Sequence, residues 1–228
     1  MSSMIEIYQR FINKLPSFDG IPALLIRLYL APVFIMAGFS KTQMLNPDVS
    51  GLASLMADPN IIAWFGNADW GLGLPFPALL ANLVILAEFF GGWLLLVGAL
   101  TRLISIPLMF TMIVAATSVH ADNGWFAITP TNPDISAAKV LSWVGVDQAN
   151  ESLENSAATA NRLGKMREIL EENGNTDWLY EKGNIVVLNN GIEFSATYFI
   201  MLLALFFIGA GRYTSVDYYI AKQLNVKN

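Results

Sequence analysis

Apolar residues gather into four long runs, at residues 21–39, 78–100, 103–119 and 192–210. The runs hold 19, 23, 17 and 19 residues. A helix that crosses a bilayer needs about 20 apolar residues, with a range of about 17–25. All four runs meet that length, so the pattern predicts four spans. Run one is too long for a cleaved leader, and no small-x-small cleavage site follows it. Only Thr101 and Arg102 part runs two and three, which predicts a tight antiparallel hairpin. Pro32 lies midway along run one and predicts a kink, whereas Pro107 lies near the start of run three, where proline costs less.

Lys and Arg near the span ends set the orientation. Arg10, Lys14, Arg102, Arg212, Lys222 and Lys227 fall on one side; Lys41, Lys139 and Lys182 fall on the other. The richer side is expected to be cytoplasmic, with both termini there. Residues 120–191 then face outward with five basic and ten acidic residues, a net charge of −5. A connection of that length is too long to be structureless. Residues 148–173 read as a helix, with Leu153, Ala157, Ala160, Leu163 or Gly164, Met166 and Leu170 on one stripe and Gly174 as its C-cap. Residues 185–188 read as a short β-like run.

Shorter signals complete the layout. Asp58-Pro59 is an N-cap followed by proline at the first helical position. Trp64, Phe65 and Trp70 are expected at the headgroup level. Ile5, Tyr8, Ile12 and Leu15 share one face, which predicts an interfacial helix at residues 4–15. The expected fold class is therefore an all-α membrane protein: a four-transmembrane-helix bundle with a small, mainly helical extracytoplasmic cap between helices 3 and 4. Residues 1–20 form the cytoplasmic interfacial segment. Residues 21–119 carry spans 1–3 with a structured outer loop at 41–76, residues 120–190 the cap, and residues 191–228 span 4 and the cytoplasmic tail.

Composition agrees. The 228 residues are 54% apolar and only 14% charged, with a mean hydropathy of +0.48. An average soluble domain has about 25% charged residues, so the charged fraction is too low to cover a water-soluble surface of this size. The chain has no Cys, which removes disulfides, thiolate metal sites and CxxC electron relays. One His excludes a multi-histidine haem or copper site within one copy. The net charge of −5 argues against nucleic acid as a partner. No P-loop, Rossmann fingerprint, GxSxG or HExxH is present.

Candidate chemistry lies where ionisable groups meet the spans, since each costs at least ~2.5 kcal/mol at a helix centre. Arg27 lies about 9 Å from the cytoplasmic start of run one, and Glu88 about 18 Å from the cytoplasmic end of run two, at about 1.5 Å per residue. An Arg27–Glu88 interhelical pair is expected, direct or through water or Tyr29. Such a pair serves either helix register or chemistry, and the residues alone leave both open. Lys41, His120, Asp122 and Glu193 are expected at one depth at the outer mouth. They could relay protons or hold a metal or polar ligand. The plainer alternative is a helix N-terminus favouring Glu193 and a His bonded to a loop carbonyl. Met109, Met112 and His120 share a rough face, for which packing is a better reading than copper ligation. Gly91, Gly92 and Gly98 allow close backbone approach in run two.

Three strings then carry a resemblance: RLYLAPVFIMAGFSK at residues 27–41, AEFFGGWLLLVGALTR at 87–102 and GAGRYTSVD at 209–217. Together they resemble the DoxX family of bacterial four-helix membrane proteins. The family pattern is matched by Arg27, by Gly38 with Lys41, by Glu88 with Gly91 and Gly92, and by Gly211 with Ser215 and Asp217. HADNGWFAITP from His120 and NTDWLYEKGNIVVLNNGIEF from Asn175 look like the HvfX-like branch, associated with maturation of copper-binding, ribosomally made peptides. The resemblance implies a multi-pass protein of the bacterial inner membrane. Its implied partners are the lipid bilayer and peptide-modifying proteins or a periplasmic copper-binding peptide. Other DoxX-like proteins belong to membrane oxidoreductase complexes, so a quinone-linked subunit, with quinone as the only carrier, is the alternative. A transporter ranks last, because four spans are few and no inverted repeat shows.

Overall fold

The computed structural model describes residues 2–224; Lys227, counted above among the cytoplasmic charges, lies outside them. Two compact units emerge. One holds the chain up to Val114 and from Ala196 onward; the other is Ala115–Ser195. Among the described residues there are helices and two isolated bridges, Thr42 with Ala57 and Ile128 with Leu188, but no sheet.

The first unit opens with α1 (Ser2–Lys14), whose Ile5, Tyr8 and Phe11 are all exposed. Next comes α2 (Gly20–Phe39), with Pro32 inside it. Its buried positions Gly20, Ala23, Arg27, Leu30, Ala31, Phe34 and Gly38 recur every three to four residues. That stripe packs on a broken helix made of α4 (Pro77–Ile85), a π-helical turn (Leu86–Phe90) and α5 (Gly91–Val97). Small residues set the approach. A Cβ on Gly38 would overlap the backbone of Phe89, and one on Gly92 would press on Ile35 and the Ala31 carbonyl. Without hydrophobic drive between helices in lipid, such backbone contact is what holds spans together. The core is Ala23, Leu30, Ala31, Phe34, Ala87, Leu95, Leu108, Leu202 and Leu205. The reverse faces expose Leu25, Met36, Leu83, Trp93, Ile106 and Phe110, a pattern that fits lipid and not water.

Gly98 at φ +70° and Leu100 at φ +52° turn the chain into α6 (Thr101–Val114). The same helical stretch runs on to Asn123 through a π-helical segment, Ala115–His120, and a 3₁₀ turn, Ala121–Asn123. Among the described residues three helical stretches are thus long and apolar enough to cross a membrane: Gly20–Phe39, Pro77–Val97 and Thr101–Asn123. The fourth expected span is shorter. After Ser195, α10 (Glu193–Ile208) contributes Leu202 and Leu205 to the core, but Gly209 at φ +80° ends it at 16 residues. At about 1.5 Å per residue that is about 24 Å, against a hydrocarbon core of about 30 Å. The short helix α11 (Val216–Gln223) closes the unit.

Between α2 and α4 lies α3 (Pro59–Gly66), started by Asp58, which accepts from the Asn60 amide at 2.7 Å. Asn82 holds this loop to α4: its side chain accepts from Ala57 N at 3.0 Å and donates to Ala78 O at 2.7 Å. Phe65 faces inward. It is buried with Ala57, Ala81 and Ile85, because the loop needs a core of its own; Trp70 is exposed.

The second unit is built on α8 (Asp147–Asn173), packed on α7 (Ala138–Trp143) and followed by α9 (Thr176–Tyr180). The buried stripe of α8 is Ala149, Ser156, Thr159 and Leu163. Of the expected stripe only Leu163 is buried, and Ala157 and Met166 are exposed, so the helix is rotated by about one residue. Small polar residues lie inward instead, and Ser156 spends its hydroxyl on the Ser152 carbonyl at 3.0 Å. Gly174 ends the helix in extended, not left-handed, conformation, its N–H donating to Leu170 O. The β-like run at 185–188 forms one bridge to Ile128 rather than a strand. Beside it, amides of Asn189, Gly191, Ile192 and Glu193 donate to carbonyls of residues 124–127.

Candidate functional site

The sequence reading expects an Arg27–Glu88 pair and an outer-mouth set, and the structure partners these residues differently. Glu88 lies in the π-helical turn and is buried. Its Oε2 accepts from Lys41 Nζ at 2.5 Å; the same ammonium donates to Ala37 O at 3.0 Å. A single π turn inside a span adds one residue to the helix and re-aims the side chains it carries, often at functional positions. Here it points Glu88 at the end of α2. Lys41 is therefore the partner of Glu88 within the first unit.

The expected Arg27–Glu88 pair does not form. Gly38 of α2 packs on Phe89, beside Glu88, whereas Arg27 packs on Gly98. Those contacts are eleven residues apart along α2, about 16 Å of rise, beyond the reach of an arginine. Depth arithmetic from the two sequence ends underestimated that offset.

Arg27 is fully buried. Its Nη2 donates to Thr214 O at 2.9 Å, while Nε and Nη1 have no hydrogen-bond partner among the described residues. Around it the family-pattern residues of the tail form a clasp. Asp217 accepts the amides of Leu100 and Thr101 at 2.7 and 2.9 Å, and its own N–H donates to Gly98 O. Ser215 caps α11, accepting from Tyr218 N at 3.3 Å and donating to Gly211 O at 2.6 Å. Arg102 donates from Nε and Nη2 to Phe206 O and Phe207 O at 3.1 and 3.2 Å, closing the end of α10. Gly211 lies against Gly20 and Ala23, and Gly91 against Ile104. These residues tie the tail to the turn between two spans. The role of Arg102, and the carbonyl of Thr214, carried no signal in the sequence beyond a basic residue at a turn.

In the second unit His120 donates from Nδ1 to Asn190 O at 2.8 Å, and Asn123 donates to the same carbonyl at 3.2 Å. Glu193 Oε2 accepts from Ala127 N at 2.9 Å. Asp122 is exposed. His120 thus meets a loop carbonyl, and Glu193 a loop amide 66 residues away in the chain. Among the described residues no group of three or more His, Cys, Asp or Glu is placed to hold a metal ion. In the first unit, Met109 and Met112 pack against the core.

Residues 23–121 match the model of the DoxX family, a membrane family; the stretch includes Arg27, Gly38, Lys41, Glu88, Gly91 and Gly92 but not the tail clasp. No curated protein and no solved structure matches the chain. Three helices able to cross a membrane, together with that match, make this a multi-pass membrane protein.

Proposed function

We propose that this chain is a four-span protein of the bacterial inner membrane, with cytoplasmic termini, whose Ala115–Ser195 unit docks partners in the maturation of copper-binding, ribosomally made peptides. The fourth span is α10. It is wholly apolar from Phe194 to Ile208 apart from Ser195, Thr197 and Tyr198, and a span this short is met by local thinning of the bilayer. The observation that carries the docking role is the surface of the second unit. Around α7, Ile135, Trp143 and Val144 are 82%, 74% and 73% exposed. They belong to a segment, residues 120–191, of net charge −5. Apolar anchors in an acidic surrounding fit a partner with an apolar centre and a basic rim. The resemblance of the flanking strings to the HvfX-like branch supplies the class of partner.

The test replaces Trp143 and Val144 by Ser in the full-length chain. The expected result is loss of co-purification with peptide-modifying proteins and of growth under copper stress, with unchanged membrane level. Unchanged growth and co-purification would overturn the docking role. His120→Ala should leave both readouts near wild type, since the imidazole bonds the Asn190 carbonyl within a loop.

A quinone-linked subunit is the second reading, favoured by one feature. An apolar groove of about 340 Å³ lies beside the π-helical turn, lined by Leu52, Met56, Leu79, Asn82, Leu86 and Phe90. A photoreactive quinone crosslinked to this groove would support that reading, and labelling spread evenly over the spans would count against it.

A further inference from the structure

The first unit carries a larger groove that neither reading uses. It is open, about 700 Å³, and lies where the turn before α6, the end of α10 and the start of α11 meet. Its walls are apolar at Leu100, Leu103, Ile208 and Pro22, while Arg102 and Arg212 stand at its rim. The charge balance decides what it can accept. Two carboxylates also line it. Asp217 takes two backbone amides, and Asp19 accepts from Arg212 Nε at 3.0 Å. Arg102 has only neutral carbonyls as partners, at Phe206 and Phe207. Next to the Ser215 wall, Arg27 is buried against Gly98 with Nε and Nη1 unbonded. Arg212 meets Asp19 through Nε, Arg27 has Asp217 as its nearby negative charge, and Arg102 has no carboxylate partner, so three guanidinium groups face or back a groove with two carboxylates.

We propose that this groove is a site for an anionic phospholipid. Arg102 and Arg212 hold the phosphodiester, and one acyl chain lies along Leu103 and Ile208. Guanidinium forks match phosphate oxygens in pairs, which an ammonium does not. The apolar walls continue onto lipid-facing positions of α6 and α10, with Leu103 at 63% and Ile208 at 52% exposure. The site lies at the span ends that carry more Arg and Lys, the side where anionic lipid and basic residues meet. It requires the spans but not the peptide-partner reading, and stands if that reading fails.

The full-length chain, purified in a neutral detergent, is titrated with phosphatidylglycerol, phosphatidylcholine or inorganic phosphate, and the unfolding midpoint is read. Phosphatidylglycerol should raise the midpoint by roughly 4 °C or more, and the other two by less than roughly 1 °C. Arg102→Gln should abolish most of the shift and Arg102→Lys only part of it, while Arg10→Gln on α1 should leave it intact. Because Arg102 also closes α10, Arg212→Gln serves as a second variant and should lose at least half of the shift. Equal shifts with phosphatidylcholine, a full shift with inorganic phosphate alone, or equal losses in Arg10→Gln and Arg102→Gln would each overturn the proposal.

Discussion

The carboxylate of Asp217 caps a helix that begins 116 positions earlier in the chain, at Thr101. Both of its oxygens are used, one on Leu100 N and one on Thr101 N. A capping acid usually comes from the residue before the helix. Here Leu100 holds that position and has no acceptor, so the tail supplies one. Asp217→Ala should therefore lower stability by about 1–2 kcal/mol, and Asp217→Asn by less, because one acceptor remains. Thermal unfolding of the purified protein in detergent checks both.

The Lys41–Glu88 pair should show the asymmetry of buried charge. Removing one partner strands the other, at a cost of about 3–5 kcal/mol, whereas replacing both by apolar residues costs little. Lys41→Met and Glu88→Leu should each be severely destabilised, and the double variant should recover most of the loss. A double-mutant cycle on unfolding midpoints measures the recovery. Additive losses would mean that the two side chains do not depend on each other.

Two glycines in helices should respond with opposite signs. A methyl on Gly38 overlaps the Phe89 backbone, so Gly38→Ala should cost about 1–3 kcal/mol and reduce the yield of folded protein. A methyl on Gly164 in α8 meets nothing within 4 Å, so Gly164→Ala should stabilise by about 0.5–1 kcal/mol. Comparing the two by thermal unfolding separates close span packing from general helix preference.

The absence of Cys makes the orientation directly measurable. In intact cells, Glu171→Cys in α8 should react with a membrane-impermeant maleimide. Asn13→Cys in α1 should react only after permeabilisation. Reaction of both in intact cells would put the two positions on one side and remove the four-span topology.

Spans one to three were legible because a long apolar run needs no knowledge of its neighbours. What the runs could not show was where a helix stops being regular. Gly209 adopts a left-handed conformation and shortens α10, although an apolar count carries the run on to residue 210. The π-helical turn around Glu88 left no mark in the hydrophobic pattern, yet it determines which cation Glu88 meets. Lys41 and Glu88 were both visible as charges beside lipid, but their pairing follows from how far α2 slides along its neighbour, which Gly38 and Gly98 determine. The inner face of α8 was missed because Ser156 and Thr159 are polar by type yet small, and the Ser156 hydroxyl is satisfied by the Ser152 carbonyl.

The grip of Arg102 on Phe206 and Phe207 has a bearing on biogenesis. Ribosomes add about 5–20 residues per second, so roughly 5–20 s pass between synthesis of the arginine and of the carbonyls it holds. Throughout that interval the guanidinium has only water or lipid headgroups to bond. A chain truncated before residue 206 would lack this closure between the turn of the hairpin and the end of α10.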